Sequence, residues 1–396
     1  MSEGVCFVLT VMLTVCFGEL RVKECVYPRI LHARGANGEK MLHIRDGLTL
    51  SLEKSKVFAE NFTFTKGDDV NDSNTLQLML SRCCQLNFKE IEESLYQDRK
   101  HGSSVVVQES NGYVQVTGIL TDTLSIEAVL SSQRSKDGIV AHRISKLNDT
   151  SIPVYADYVH YTHLAEREAR GDIHRVARQR LRNSPETVTV ETRILYDDAL
   201  EEQKGSYLNQ YLVIVMNKVN LLYTALQNPR PHFVIVGIEK LLSEAHLELT
   251  PGRYLKVCNT LKPLNHFVYR SWRRDAQDVV AFLSGWRSSD ERGKGCTIIC
   301  GICSKYKVTV HSVQGLSEST SALFIAHELG HQLGMNHEEH PGHAGLDCGP
   351  GAGYVMAAVL DTPGRSVFSH CVYDKMKRCL IEKDQRCFEK TARMQL

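Results

Sequence analysis

From about residue 20 to residue 150 the apolar positions alternate with polar ones at the period of a strand. LTLSL at 48–52 and SVVVQESNGYVQVTGIL at 104–120 are the clearest runs, and period-two alternation puts one face of each against a core. Asn111-Gly112 falls between two such runs and predicts a tight hairpin, because both residues tolerate the positive φ that the turn needs. This half reads as a β-rich domain. Between 160 and 187 the pattern stops. HLAEREARGDIHRVARQRLRNSPETV is charged, poor in large apolar side chains and ends its basic part at Pro185, as an exposed linker does.

Beyond the linker, strand-like and helix-like segments alternate, as in an α/β domain. TVTVETRILY (187–196), HFVIVGIEKLL (232–242), TIICGICS and KYKVTVHSV (297–313) predict strands. YLNQYLVIVMNKVNLLYTAL (207–226) and SWRRDAQDVVAFLSGW (271–286) predict helices by length and apolar spacing. A further helix, starting near Ser319 or Thr320 with either as its cap, carries IAHELGHQLGMNHEE (325–339).

Composition narrows the setting. The chain has 396 residues and is 42% hydrophobic, enough for two globular domains. Forty-seven Lys and Arg against 46 Asp and Glu leave no net field to attract nucleic acid or an anionic membrane. The apolar run Val5 to Phe17, followed by Gly18 and Glu19, has the length of a signal-peptide core and is too short to span a bilayer. Its n-region carries Glu3 where a basic residue is usual. No later stretch approaches eighteen apolar residues, so no membrane anchor is expected. Of 13 cysteines, eight crowd the second half: Cys258, Cys296, Cys300, Cys303, Cys348, Cys371, Cys379 and Cys387. An even set in an oxidising compartment predicts disulfides, whereas a zinc ribbon on Cys300 and Cys303 would need a second pair at matching spacing. Asn61, Asn71 and Asn148 each open an Asn-x-Ser/Thr sequon, a pattern that accepts glycans in secreted chains. In the linker, Arg175 and Arg178 frame an Arg-x-x-Arg processing pattern that Arg180 and Arg182 extend; the alternative is a solvated basic face.

The chemistry concentrates in residues 327–337. On a helix His327 and His331, four apart, aim their rings at one point. Gly334 can take the left-handed conformation that ends the helix, which brings His337 round as a third ligand. Three neutral imidazoles leave a zinc ion one open position, the mark of a catalytic rather than a structural site. Glu328, beside the first ligand, is placed as general base for water attacking a carbonyl, so hydrolysis of peptide bonds is the reaction these parts fit. Five fixed identities over eleven positions arise by chance in such a chain on the order of once in ten thousand. His340 and His343 read as surface residues.

HELGHQLGMNH (327–337), followed by GYVMAAV (353–359), resembles the metzincin zinc proteases. The flanking segments HFVIVGIEKLL, RRDAQDVVAFLSG, GCTIICGICSKYKVTV and SHCVYDKM are similar to the adamalysin, or reprolysin, branch, which includes the snake-venom metalloproteases and ADAM proteases; secreted arthropod salivary members look nearest. The resemblance covers most of 187–390 and, more loosely, the first half. It implies an α/β metzincin catalytic domain, with a twisted, mostly parallel five-stranded sheet and long helices, preceded by a β-rich prodomain. It implies that Met356 lies beneath the zinc as a structural Met-turn, and that Thr297, Ile298 and Ile299 form the edge strand that pairs with substrate. It further implies disulfides Cys303–Cys387 and Cys348–Cys371, leaving Cys258, Cys296, Cys300 and Cys379 unassigned.

The departures are specific. Glu338 stands where many members have Asp, as in astacin-type proteases, yet Ala358 stands where an astacin has tyrosine. The family's calcium site would use Glu191 and an asparagine just past the last cysteine; the chain reads Phe388-Glu389-Lys390 there, so calcium is not expected. No Cys-Gly latency segment lies near the linker. Cys83 or Cys84 could hold the zinc through a thiolate, or the prodomain could block the cleft by bulk. The expected protein is a secreted, monomeric zymogen: signal 1–18, propeptide domain 19–160, processing linker 161–186 and zinc endopeptidase 187–396. It would act on extracellular proteins or peptides, with its own prodomain as inhibitor. A catalytically silent binding protein of the same fold, or an astacin-like enzyme, is the alternative.

Overall fold

The computed structural model describes residues 24–35, 39–65, 87–110, 113–129, 139–146, 154–155, 186–272, 277–290, 293–338, 354–360, 367–383 and 387–388. The first half supplies β1 (Glu24–Val26), β2 (Arg29–Arg34), β3 (Lys40–Arg45), β4 (Leu48–Lys54) and β5 (Phe58–Thr65). A helix, α1, covers 87–93. Then come β6 (Leu95–Asp98), β7 (Ser103–Ser110), β8 (Tyr113–Thr121), β9 (Leu124–Ala128), β10 (His142–Lys146) and β11 (Val154–Tyr155). Nine of these strands form one antiparallel sheet in the order β1-β10-β9-β8-β7-β6-β4-β3-β2. β7 and β8 pair from Ser110↔Tyr113 to Ser104↔Ile119, the hairpin that Asn111-Gly112 predicts, although those two residues lie outside the described set. The alternation has a use on both faces: Val105 and Val107 join a core with Leu42, Leu50 and Val116, while Val106, between them, points into the core of the second half.

His142 locks this sheet. It is fully buried, its Nε2 accepts from the Val116 N–H at 2.9 Å, and its Nδ1 donates to the Val140 carbonyl at 3.0 Å, so the ring is neutral. Burial holds its pKa below the ordinary 6.5, outweighing the pull of the Val140 carbonyl. In the unfolded chain the ring regains its ordinary value, so as pH falls the unfolded state takes the proton first. The contribution of this site is complete above about pH 6.5 and is lost as pH falls toward the lower folded value. The urea midpoint of the N-terminal sheet should drop between about pH 7.5 and 5.5, and His142→Phe should flatten that drop while lowering the midpoint throughout.

The second half runs β12 (Thr187–Tyr196), α2 (Asp198–Lys204), α3 (Leu208–Tyr223), β13 (Arg230–Lys240), α4 (Val257–Ser271), β14 (Val279–Ser284), β15 (Gly295–Cys296), β16 (Val308–Ser312), α5 (Glu318–Gln332), β17 (Val359–Leu360) and α6 (Tyr373–Glu382). Its sheet has six strands among the described residues, in the order β15-β16-β14-β12-β13-β5. All neighbours are parallel except β15, which runs antiparallel to β16. The expected five-stranded sheet is thus a mixed six-stranded one, because β5 crosses over from the first half to pair with β13.

Of residues 271–286, expected as a helix, Ser271 ends α4 and Val279–Ser284 form the strand β14. β14 is central and buried on both faces: Val279 and Leu283 face the core beneath α3 and α5, while Val280 and Phe282 face α4. A strand buried on both sides shows an unbroken apolar run rather than alternation. The helix itself lies earlier and contains Pro263, a residue that masks helices in sequence. The strand expected over TIICGICS (297–304) does not form: the edge strand is Gly295–Cys296, just before it, and Cys300 and Cys303 take positive φ of 54° and 59°, which no extended run accommodates. Helix α5 starts at Glu318 rather than at 319 or 320; its cap is Ser317, whose hydroxyl accepts from the Thr320 N–H.

Candidate active site

Helix α5 leads into the site from a fully packed interior. His327, Glu328 and His331 have no exposed surface, and His337 is partly buried. Gly334 takes φ +94° and turns the chain back, so that His337 returns toward the helix it has just left. A Cβ there would collide with Cys379 and lie 3.2 Å from the Lys375 carbonyl, so the turn is also pressed against α6. That contact is held by the disulfide Cys300–Cys379.

The three rings converge. His331 Nε2 lies 3.0 Å from His327 Nε2 and 3.2 Å from His337 Nε2. His327 Nδ1 donates to the Val355 carbonyl at 2.6 Å and His331 Nδ1 to the Met335 carbonyl at 2.7 Å. Each bond fixes the tautomer, turning the Nε2 lone pair inward. Lone pairs aimed at one another this closely repel unless a cation lies among them. Ligands of a tetrahedral zinc at 2.0–2.1 Å sit about 3.3 Å apart, so these donors fit that ion. Met356 is fully buried, and its sulfur lies against Gly330, where a Cβ would come within 2.5 Å of it. It therefore packs on the helix between the first two histidines.

Glu328 lies beside Gly295 of β15, where a Cβ would overlap its carboxylate. The Glu328 carboxylate and the sheet edge thus meet with only the glycine's hydrogen between them. Thr297, Ile298 and Ile299, expected as the edge strand, fall just past it. Thr297 is buried and serves as a tie between elements, since its hydroxyl donates to the Val308 carbonyl and accepts from Gln332 Nε2 at 2.6 Å. Gln332 also reaches the carbonyls of Tyr306 and Val308, clamping the end of α5 to the edge. Sequence reasoning gives Gln332 no role, since its partners lie 24 to 35 residues away.

Glu338 is buried, accepts from the Ser369 hydroxyl at 2.5 Å and donates its own N–H to the Met356 carbonyl at 2.9 Å. The residue after the third histidine thereby ties the Met356 turn to the C-terminal segment. From the opposite side, the Tyr223 hydroxyl of α3 donates to the carbonyl of Ala326, which precedes His327.

Disulfides join Cys258–Cys296, Cys300–Cys379 and Cys303–Cys387, which gives partners to the four cysteines without an assignment. Cys371 is also disulfide-bonded; Cys348 lies outside the described residues. So do Cys83, Cys84, Asn71, Asn148, Arg175, Arg178, Arg180, Arg182, His340 and His343, while Asn61 is exposed on β5. A second group of metal-type side chains, Asp278, Cys303 and Cys387, comes together, but its thiolate donors are consumed in the disulfide. Glu191 is buried next to it, its N–H donating to Asp278 Oδ2 at 2.9 Å.

The chain is similar to known metalloproteases. The family model described as Reprolysin (M12B) family zinc metalloprotease matches residues 188–391. The venom metalloproteinase BumaMPs1 of Olivierus martensii is 24% identical over 387 residues, covering 91% of this chain and 90% of that protein. The venom metalloproteinase antarease-like TtrivMP_A of Tityus trivittatus is 22% identical over 326 residues, covering 74% and 78%. Among solved structures, metalloproteinase-II from Bacteroides fragilis aligns over 91% of this chain and 92% of its own at 10% identity and a TM-score of 0.41, too slight a likeness to argue from. With more than half its length matched by the family model, the chain belongs to the reprolysin (M12B) family and is a zinc metalloendopeptidase.

Proposed function

We propose that the protein is a secreted endopeptidase made as a zymogen, that it cuts extracellular proteins or peptides, and that Glu328 is its general base. The observation that carries the catalytic part is the convergence of the Nε2 atoms of His327 and His337 on that of His331, at 3.0 and 3.2 Å, with a buried carboxylate, Glu328, next to His327. His327, His331 and His337 hold the zinc through Nε2. When bound, that ion supplies Lewis-acid charge for the scissile carbonyl and for water activation. Glu328 takes the proton of the attacking water at a carboxylate oxygen and delivers it to the departing amine. β15, the last strand of this sheet among the described residues, would offer backbone groups to an extended peptide, and Gly295 leaves room for the carboxylate alongside it.

Secretion is supported by the apolar run Val5–Phe17 and by the venom metalloproteinases among its relatives; no helix of the described residues is long and apolar enough to cross a membrane. Residues 1–18 serve as signal, 19–160 as propeptide and inhibitor, 161–186 as processing linker with the cut at Arg178, Arg180 or Arg182, and 187–396 as a monomeric protease. Asn61 is the glycan acceptor whose exposure supports that use. The test is hydrolysis of a peptide library by the purified chain before and after cleavage in 161–186, with mass spectrometry of the new N-terminus. Activity should rise at least tenfold on cleavage; an intact chain as active as the cut one overturns the zymogen reading.

A further inference from the structure

His311 lies on β16, fully buried and outside the zinc triad. Its neighbours Val308 and Val310 pack in the core with α4, so by the alternation of a strand His311 points the other way. Its partner across the parallel ladder, Leu283, accordingly belongs to the core with α5. On the other side His311 pairs directly with Gly295 of β15. Side chains of directly opposed antiparallel residues share a face, with Cβ positions about 4.5–5.5 Å apart. Gly295 has no side chain, and the place its Cβ would take is where the Glu328 carboxylate sits. The imidazole and the carboxylate are thus neighbours in one layer between sheet and helix.

The same register continues one step along. Gln332 follows Glu328 by one turn of α5 and donates to the hydroxyl of Thr297, two residues past Gly295. On β16 the residue two before His311 is Thr309, and His311 Nε2 lies 2.8 Å from its hydroxyl oxygen. Helix and sheet edge therefore meet at two successive levels, Gln332 at Thr297 and Glu328 at Gly295, with His311 beside the second.

The partner of the ring fixes its tautomer. The Thr309 hydroxyl donates to the Val280 carbonyl at 3.5 Å, so it accepts from His311, and Nε2 carries the hydrogen. Nδ1 then presents a lone pair. Burial, and to a lesser degree the neighbouring His327, pushes the His311 pKa down to about 3, which keeps the ring neutral. Among the described residues Nδ1 has no hydrogen-bond partner. A buried acceptor costs stability unless a donor comes to it. A carboxylate has no hydrogen to offer, whereas a carboxylic acid has one.

We propose that His311 is a positioning residue for Glu328: its Nδ1 accepts a hydrogen bond from the Glu328 carboxyl while that group holds the proton taken from water. The idea rests on the reading of Glu328 as general base. In that step an O–H bond of water breaks, its electron pair goes with the oxygen to the carbonyl carbon, and the proton forms a new O–H bond on Glu328. There it stays, held by Nδ1, until the departing nitrogen, keeping the electron pair of the broken C–N bond, takes it. His311 neither gains nor gives up a proton. It steadies the neutral carboxyl by a bond absent from the ground state, so its contribution falls on kcat rather than on KM.

The zinc-loaded protein, in whichever form, intact or linker-cut, hydrolyses a peptide, is the one to test. His311→Leu should lower kcat about 5- to 30-fold, the worth of one buried hydrogen bond, with KM within about twofold and zinc content unchanged. His311→Asn, whose Oδ1 takes the place of Nδ1, should recover kcat to within about threefold of the parent. His311→Gln, whose amide takes the place of Nε2 and keeps the bond to Thr309, should stay low. A merely structural histidine gives the reverse order, with Gln as good as the parent, and that result overturns the proposal. In the Glu328→Gln background, His311→Leu should cost nothing further. Nitrogen-15 NMR of the unaltered protein needs no variant: Nε2 should carry the hydrogen and Nδ1 none, and the opposite tautomer also overturns the proposal. Glu328→Gln alone judges the base reading. A parent-like kcat there sinks that reading, whereas a large loss there with an unchanged kcat in His311→Leu sinks only the role of His311.

Discussion

Glu328→Gln should lower kcat on a peptide substrate by about 10²- to 10⁴-fold, the usual share of a general base, and leave the bound zinc unchanged. The substitution keeps the shape of a side chain that has no exposed surface and sits against Gly295, so packing is preserved. What it removes is the ability to accept a proton, since a carboxamide oxygen is not a base at neutral pH. Neither histidine bond to the backbone, from His327 to Val355 or from His331 to Met335, involves Glu328. Zinc content by elemental analysis and the melting temperature should therefore match the parent. Retained activity would move the base elsewhere; lost zinc would mean that the carboxylate helps to build the metal site.

Gly334→Ala should have the largest effect on the site's structure. An L-residue at φ +94° costs about 1–2 kcal/mol, and the new methyl collides with Cys379 on α6, which cannot retreat while its sulfur is bonded to Cys300. The Met335 carbonyl that orients His331 follows directly, and His337 stands three residues on. A displaced turn thus loosens two ligands at once. Zinc affinity, read by competition with a chromophoric chelator, should fall by about 10- to 100-fold, the range for disturbed support around ligands. The melting temperature should fall by at least several degrees. A variant with the parent's affinity would show that the turn does not set the third ligand.

The histidine cluster is legible in the sequence because its geometry is local. A spacing of four on a helix, one glycine turn and a return of three residues need no knowledge of the rest of the chain. β12, expected over 187–196, matches Thr187–Tyr196 for the same reason, since its β-branched pattern is self-contained. The differences have long-range causes. β14 resembles a helix in sequence because burial on both faces erases alternation, and α4 is hidden by Pro263. The edge strand is expected two residues late because Cys300 and Cys303 leave extended geometry where disulfides reach them from 79 and 84 residues away. Gln332, Ser369 and Tyr223 have ordinary neighbours in sequence, and only the fold brings them to Thr297, Glu338 and Ala326. Nothing in FAENFTFT (58–65) announces that it adds a strand to a sheet whose next member begins at Arg230.

The central claim is that one zinc held by His327, His331 and His337 carries the hydrolysis. The most direct measurement strips the linker-cut protein with a chelator, returns zinc in fractions of an equivalent, and follows both hydrolysis of a quenched peptide and the far-ultraviolet circular dichroism. Activity should be absent in the stripped protein, rise linearly and level at one zinc per chain, while the dichroism changes little because disulfides and the shared core hold the fold. Hydrolysis that persists without metal, or that requires a second equivalent, would contradict the account.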